Sequence, residues 1–148
     1  MYIFESAFGT LRKYADFKGR ASRQEFWCFL GFVIIVQTIA GLIGLLLGFG
    51  PALSGLVGLL LVVPQIAVAV RRVHDVGKGG RELFVPCGLM LAMPFLFTFR
   101  GILPKIVALG VLGITLIAFA NLLSLFLKKG STIPNRYGAA PTAFSFAR

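Results

Sequence analysis

Residues 17–49 read FKGRASRQEFWCFLGFVIIVQTIAGLIGLLLGF. The first eleven residues of this stretch contain three cations and one acid, and a long apolar run begins at Phe26. A run of this length matches the about 20 residues that a helix needs to cross the hydrocarbon core of a bilayer. The stretch therefore predicts a membrane-spanning helix that is entered through a charged segment.

The rest of the chain continues this pattern. Hydrophobic residues make up 57% of its 148 residues and the mean hydropathy is +0.90, well above the values of soluble globular chains. Four apolar runs occupy residues 26–49, 52–70, 83–99 and 102–127. Backbone groups inside a bilayer must be satisfied within their own segment, so each run should be helical. We predict one all-α membrane domain over residues 1–148, with four transmembrane helices in two hairpins; the third run is short and interrupted by Pro86 and Pro94, so a kinked or partly re-entrant helix is the alternative there.

The distribution of Lys and Arg predicts the orientation of these helices. Thirteen of the fifteen cations lie before the first run, between the second and third runs, or in the tail at residues 128–148. The two outer connections carry only Arg100 and Lys105. Because cytoplasmic flanks hold the excess of basic residues, both termini should lie in the cytoplasm.

The segment at residues 1–16 is expected to form an amphipathic helix that lies in the membrane interface. Its apolar stripe recurs at helical spacing and consists of Phe4, Phe8, Leu11 and Ala15. A capping box follows, in which Ser22 should accept from the Glu25 amide and the Glu25 side chain should return a bond to the Ser22 amide. Part of the charge in the opening stretch thus starts a transmembrane helix.

Two segments of the chain resemble each other. Residues 19–27 (GRASRQEFW) and residues 77–85 (GKGGRELFV) align in Gly, a basic residue, two small residues, Arg and Phe. A parallel duplication of one helical hairpin would produce such a repeat. The alternative is that segments next to membrane helices share a similar composition without common origin.

Three longer motifs carry a family resemblance. They are YADFKGRASRQEFW at residues 14–27, RRVHDVGKGG at residues 71–80 and PNRYG at residues 134–138. Together they resemble the YhaH-like family of small bacterial inner-membrane proteins, known as domain of unknown function 805. The resemblance implies four helices and an inner-membrane location, but no reaction. Family members commonly have Trp after the paired glycines, whereas Arg81 and Glu82 stand here.

All three motifs adjoin helix ends that should face the cytoplasm, so folding should bring their polar residues into one layer. Guanidinium groups bind phosphate and carboxylate through paired donors, which makes this layer a candidate anion site. Its candidate residues are Arg20, Arg23, Glu25, Arg71, Arg72, Asp75, Asn135 and Arg136. The alternative is a structural network, in which the two acids neutralise two arginines and Asn135 ties down the tail.

Acid/base chemistry has one candidate pair, the adjacent His74 and Asp75. Neighbours in sequence do not face each other on a helix, so the pair is not a ready catalytic dyad and a structural histidine is favoured. The chain has one His and five acids and contains no HExxH or CxxC motif. We expect no metal site and no cofactor, and more readily a non-enzyme than an enzyme.

Anionic lipid head groups are the expected partners, because the cations gather at helix ends as positive-inside topology requires. Nucleic acid is not expected, since no recognition module is present. Small-residue faces around Gly44 and Gly58 allow either packing within the chain or a homo-oligomer or membrane partner. Two alternatives stay open beside the lipid-binding protein: an enzyme acting on a lipid-linked phosphate, and a small channel or carrier.

Overall fold

The computed structural model describes residues 2–98 and 101–141, and the side chains of these ranges other than 2–6, 93 and 95–97. Five helices lie in these ranges: α1 (Tyr2–Arg12), α2 (Arg23–Leu46), α3 (Ala52–Asp75), α4 (Arg81–Thr98) and α5 (Ile102–Leu127). The described part of the chain contains no strand, and one isolated bridge joins Asn135 to Gly138. Met1, Phe99, Arg100 and residues 142–148, the last part of the predicted tail with Arg148, lie outside the described residues.

Capping chemistry explains why α2 begins three residues before its apolar run. Ser22 is its N-cap, and the Ser22 hydroxyl oxygen accepts from the Glu25 amide at 3.1 Å. This is the first half of the predicted capping box. The Glu25 carboxylate forms an ion pair with α3, where its Oε1 lies 2.9 Å from Arg71 Nη1.

Helix α3 extends five residues beyond its apolar run and ends at Asp75. Gly77 stops it in a left-handed conformation, with φ at 77°. The Gly77 amide bonds to the His74 carbonyl at 3.0 Å and the Lys78 amide to the Val73 carbonyl at 3.1 Å. These two bonds form a Schellman motif. The motif residues Arg71 to Asp75 therefore sit on the last turn of a helix.

The helices form two antiparallel hairpins, α2–α3 and α4–α5, and α1 packs against α2. The hairpins meet at one end, where α2 and α4 begin and α3 and α5 finish; we call it the polar end. The rings of Phe26 and Phe126 pack there with centroids 4.3 Å apart. The buried apolar cluster includes Phe29, Val68 and Val73 and draws in Leu83 and Leu122 from the second hairpin.

Away from this cluster the helices present large apolar side chains to their surroundings. Leu46 is 83% exposed on α2 and Leu103 is 75% exposed on α5. Within the described ranges, three helices are long and apolar enough to cross a membrane, namely α2, α3 and α5. The third predicted span corresponds to α4, a helix of 18 residues that contains Pro86 and Pro94 and is not among those three.

The face of α1 that packs against the protein consists mainly of residues outside the predicted stripe, with Leu11 as the stripe residue that packs on the buried cluster. Ala7 and Thr10 are fully buried, whereas Phe8 is 61% exposed. Small side chains thus face the bundle and the aromatic side chain points away from it. The side chain of Phe4 lies outside the described ones.

Candidate functional site

Five charged side chains are buried together at the polar end, and we call them the ion-pair layer. Their exposed fractions are all below a tenth. Its members are Arg20, Glu25, Arg71, Arg72 and Asp75. Burying so many charges is costly unless each is paired and hydrogen-bonded, so their contacts decide what the layer does.

Asp75 is the centre of the layer, because both of its carboxylate oxygens face an arginine. Oδ1 lies 2.8 Å from Arg20 Nη2 and accepts from Arg20 Nε at 2.9 Å. Oδ2 accepts from Arg72 Nη1, one turn back on α3. One carboxylate therefore joins the segment before α2 to the end of α3.

Arg72 also connects the two hairpins. Its Nε and Nη2 donate to the Phe126 carbonyl oxygen at 3.3 and 3.2 Å, and Nη2 donates to the Lys128 carbonyl oxygen as well. The last carbonyls of a helix lack partners in their own helix and carry partial negative charge. A guanidinium placed there stabilises the end of α5 and fixes it beside α3.

Arg20 holds the tail in a similar way. Its Nη1 donates to the Ile133 carbonyl at 3.0 Å, and its Nη2 donates to the Ser131 carbonyl. The Ser131 amide returns a bond of 3.0 Å to the Asp75 carbonyl. Gly130 is required for this approach, because a Cβ built there would overlap the Asp75 carboxylate. The tail is thus packed directly onto the ion-pair layer.

Arg71 differs from the other two buried arginines. Its Nη1 donates to Glu25 Oε1 at 2.9 Å, and Thr10 of α1 lies 3.5 Å from the same oxygen. Its Nε and Nη2 are buried and have no hydrogen-bond partner among the described residues. Arg20 and Arg72 direct every guanidinium nitrogen at a carbonyl or carboxylate oxygen, whereas Arg71 so engages one of three.

His74 and Asp75 point in different directions, as expected for neighbours on a helix. The His74 ring stacks on Tyr137, with centroids 3.7 Å apart and planes inclined by 4°. Its Nδ1 lies 3.3 Å from the Gly19 carbonyl oxygen. The side-chain Nδ2 of Asn135 donates to the His74 carbonyl oxygen at 3.0 Å, and this bond holds the tail against the end of α3. These contacts of His74 are structural. Asp75, for its part, is bound to two arginines.

The structure thus brings together most of the predicted site residues, and two lie at its rim. Arg23 is exposed and donates to the Leu127 carbonyl at 3.1 Å. Arg136 is exposed and lies over the Tyr137 ring at 4.7 Å. Among the described residues, no three His, Cys, Asp or Glu side chains are grouped as a metal site would need.

One interaction was missed by the sequence analysis. Pro64 lies inside α3 and has no amide hydrogen, so the Leu60 carbonyl oxygen four residues earlier loses its helical partner. The Tyr14 hydroxyl donates to this oxygen from the segment after α1. A proline within an apolar run marks such an orphaned carbonyl, but the sequence does not indicate which side chain will reach it.

Comparison with known proteins places the chain among membrane proteins. The family model described as "Protein of unknown function (DUF805)" matches residues 14–139. Inner membrane protein YhaI of Escherichia coli (strain K12) is 33% identical over 133 residues, which cover 89% of this chain and 91% of that protein. Inner membrane protein YhaH of the same organism is 36% identical over 74 residues, 47% of this chain and 61% of its own length.

A further relative in that organism, described as "Uncharacterized protein YiiR", is 34% identical over 129 residues, 83% of this chain and 84% of its own. No solved structure matches the chain. The predicted family and membrane class are therefore confirmed: the chain is an integral membrane protein with apolar transmembrane helices, and it belongs to the DUF805 family of inner-membrane proteins of unknown function.

Proposed function

We propose that the chain crosses the inner membrane four times, with both termini in the cytoplasm. The path of the chain supports four crossings, because α5 ends beside the end of α3, where Arg72 binds its last carbonyls. Since α5 runs towards the polar end, α4 has to carry the chain to the far end first. An 18-residue helix is about 27 Å long, close to the thickness of the hydrocarbon core.

The distribution of charge supports a cytoplasmic polar end. Among the described residues, Lys105 is the one Lys or Arg at the far end, at the start of α5. The other described cations lie on helix ends, loops and tail at the polar end or in the segment between α1 and α2. Positive charge at one face is the usual mark of the cytoplasmic side.

We further propose that the polar end binds anionic lipid through its exposed cations. The observation that carries this proposal is the division between buried and exposed arginines. Arg20 and Arg72 are saturated by protein acceptors, so they hold the fold together and cannot also bind a surface ligand. The exposed basic residues around them are Arg12, Lys13, Lys18, Arg23, Lys78, Arg81, Lys128, Lys129 and Arg136.

Exposed cations next to a membrane helix are attracted to anionic head groups by about 1 kcal/mol each. Aromatic side chains suited to the head-group level lie near them: Tyr14, Phe17 and Trp27 are about two-fifths exposed. A docked protein partner is the other occupant this surface fits, and an oligomer is a further possibility for the exposed apolar helices.

The enzyme and carrier alternatives receive no support from the contacts. Asp75 is held by two arginines and the His74 ring stacks on Tyr137, so neither is placed as an acid or base. Gln37 on α2, with its amide assigned from its neighbours, donates to the Ser54 carbonyl at 3.0 Å and accepts from the Gly58 amide at 3.2 Å. That mid-membrane amide joins two helices of one hairpin.

Topology is tested by labelling single cysteines with an impermeant maleimide in intact cells of a variant whose Cys28 and Cys87 are replaced by Ala. We expect K105C to be labelled in intact cells and K129C only after the membrane is opened. The reverse pattern, with K129C labelled in intact cells and K105C only after the membrane is opened, would mean that α4 does not cross.

Lipid binding is tested by native mass spectrometry of protein released from gentle detergent with added phosphatidylglycerol or phosphatidylcholine. A combined R23Q, K129Q and R136Q variant should bind fewer phosphatidylglycerol molecules than wild type. The matched control is K105Q, which removes an exposed cation at the far end and should leave binding unchanged. Equal binding by all three proteins would contradict the proposal.

A further inference from the structure

The buried arginines are not fully balanced by buried acids. The ion-pair layer holds three guanidinium groups and two carboxylates, so one positive charge is in excess. Arginine does not release its proton in proteins, and a buried charge without a counter-charge is strongly destabilising. Neutralisation therefore has to come from a group other than the buried side chains of the layer.

The unpartnered donors show where that group belongs. Carbonyl oxygens of α5 and the tail add negative potential around Arg72 and Arg20, whose nitrogens are all engaged. Of the three buried arginines, only Arg71 has donors without a partner among the described residues, although it is only 2% exposed. Its Nε and Nη2 lie on one edge of the guanidinium plane and form the fork that binds two oxygens of one oxyanion.

We propose that Arg71 holds one phosphate-type oxyanion through its Nε and Nη2 edge, as a resident ligand of the ion-pair layer. The ligand is either the phosphodiester of a membrane lipid or a free phosphate. This inference deepens the proposed lipid binding but does not require it, since the exposed cations bind at the surface and Arg71 binds inside.

The position of Arg71 fits this role. It lies on the last turn of α3, and the Ala21 amide donates to its carbonyl oxygen at 3.0 Å. Thr10 of α1 is fully buried beside the Glu25 oxygen that Arg71 binds. Helix α1 thus lies beside the Arg71–Glu25 pair.

The experiment uses the full chain, stripped of lipid by detergent exchange. Native mass spectrometry then measures binding of phosphatidylglycerol and phosphatidylcholine, and thermal unfolding measures the effect of inorganic phosphate against chloride at equal ionic strength. The variant R71K keeps a positive charge beside Glu25 but loses the fork. We expect its affinity to fall about tenfold to a hundredfold, as for lost hydrogen bonds to a charged group.

The two arms distinguish the source of the oxyanion. The site is assigned to a phosphodiester if each wild-type chain retains one lipid, whether phosphatidylglycerol or phosphatidylcholine, and R71K retains none. Stabilisation of wild type but not R71K by phosphate assigns it to a free anion. If R71K does not fold, the double variant R71M/E25Q takes its place in both arms, because it removes the fork of Arg71 together with the carboxylate of Glu25.

The proposal is overturned if wild type retains no lipid and gains no stability from phosphate, which would leave ordered water as the partner of Arg71. Equal binding by wild type and the variant would overturn it as well. The R23Q/R136Q variant distinguishes a failure of binding at Arg71 from a failure of lipid binding at the surface. It should lose the weaker phosphatidylglycerol adducts and keep the one held by Arg71.

Discussion

Each hairpin is entered through a glycine with a left-handed backbone, and the side chains that follow this glycine differ between the two hairpins. Gly19 and Gly77 both have left-handed φ angles, 82° and 77°, and α2 and α4 each start four residues later, at Arg23 and Arg81. The alignment that suggested an internal repeat therefore places two left-handed glycines at the same distance before a helix. A turn of this kind redirects the chain into a new helix, whatever side chains follow.

The side chains at equivalent positions account for the difference. Arg20 is buried and bound to Asp75, whereas its counterpart Lys78 is exposed. Glu25 is buried with Arg71, and its counterpart is the buried Leu83. The first hairpin is thus fastened by charges and the second by apolar packing. A left-handed glycine at the same position, followed by different buried groups, shows how one hairpin can hold a polar site while the other serves as its apolar support.

The largest effect should come from Asp75→Asn, which removes the charge shared by Arg20 and Arg72. Breaking a buried pair leaves uncompensated charge and costs about 3–5 kcal/mol. We expect this loss in the free energy of unfolding, measured by SDS titration in mixed micelles. The matched control is Glu82→Gln in the second hairpin, whose carboxylate is about half exposed and should contribute little. Equal losses in both variants would contradict the contrast between the hairpins.

The next largest effect should follow from Gly130→Ala. The added Cβ would overlap the Asp75 carboxylate, and forcing atoms into a packed site costs about 1–3 kcal/mol. We expect lower stability and faster proteolysis of the tail. Gly113→Ala on α5 is the control, because a Cβ there meets no atom within 4 Å. An unchanged G130A protein would mean that the tail does not pack on the ion-pair layer.

The sequence predicted the three helices that are long and apolar enough to cross a membrane, together with most of the residues of the ion-pair layer, and its limits have a physical basis. Apolar runs mark spans because the bilayer demands them, but they do not mark helix ends. Helix α3 continues to Asp75, because Arg71 and Arg72 are buried against other elements. Local motifs predicted the members of the layer but not the pairing between them. That pairing depends on the tertiary approach of segments far apart in sequence.

The same limit applies to the contact between Tyr14 and Leu60. We expect Tyr14→Phe to destabilise the first hairpin by about 1 kcal/mol, since it leaves the Leu60 carbonyl without a partner. Pro64→Ala supplies an amide that can bond to this oxygen, so Y14F should cost much less in that background. The measurement is a double-mutant cycle in the free energy of unfolding. Additive effects would show that Pro64 and Tyr14 act independently.

The smallest effect is expected at the surface pair of the second hairpin, Lys78 and Glu82. Their charged atoms lie 3.9 Å apart, and their side chains are 57% and 48% exposed. Water screens such a pair and its flexible side chains lose entropy on pairing, so an exposed helical pair contributes only about 0.3–0.5 kcal/mol. A double-mutant cycle with Lys78→Gln and Glu82→Gln should give a coupling of this size or less that vanishes in high salt. A coupling as large as that of a buried pair, insensitive to salt, would mean that the second hairpin is also fastened by charge.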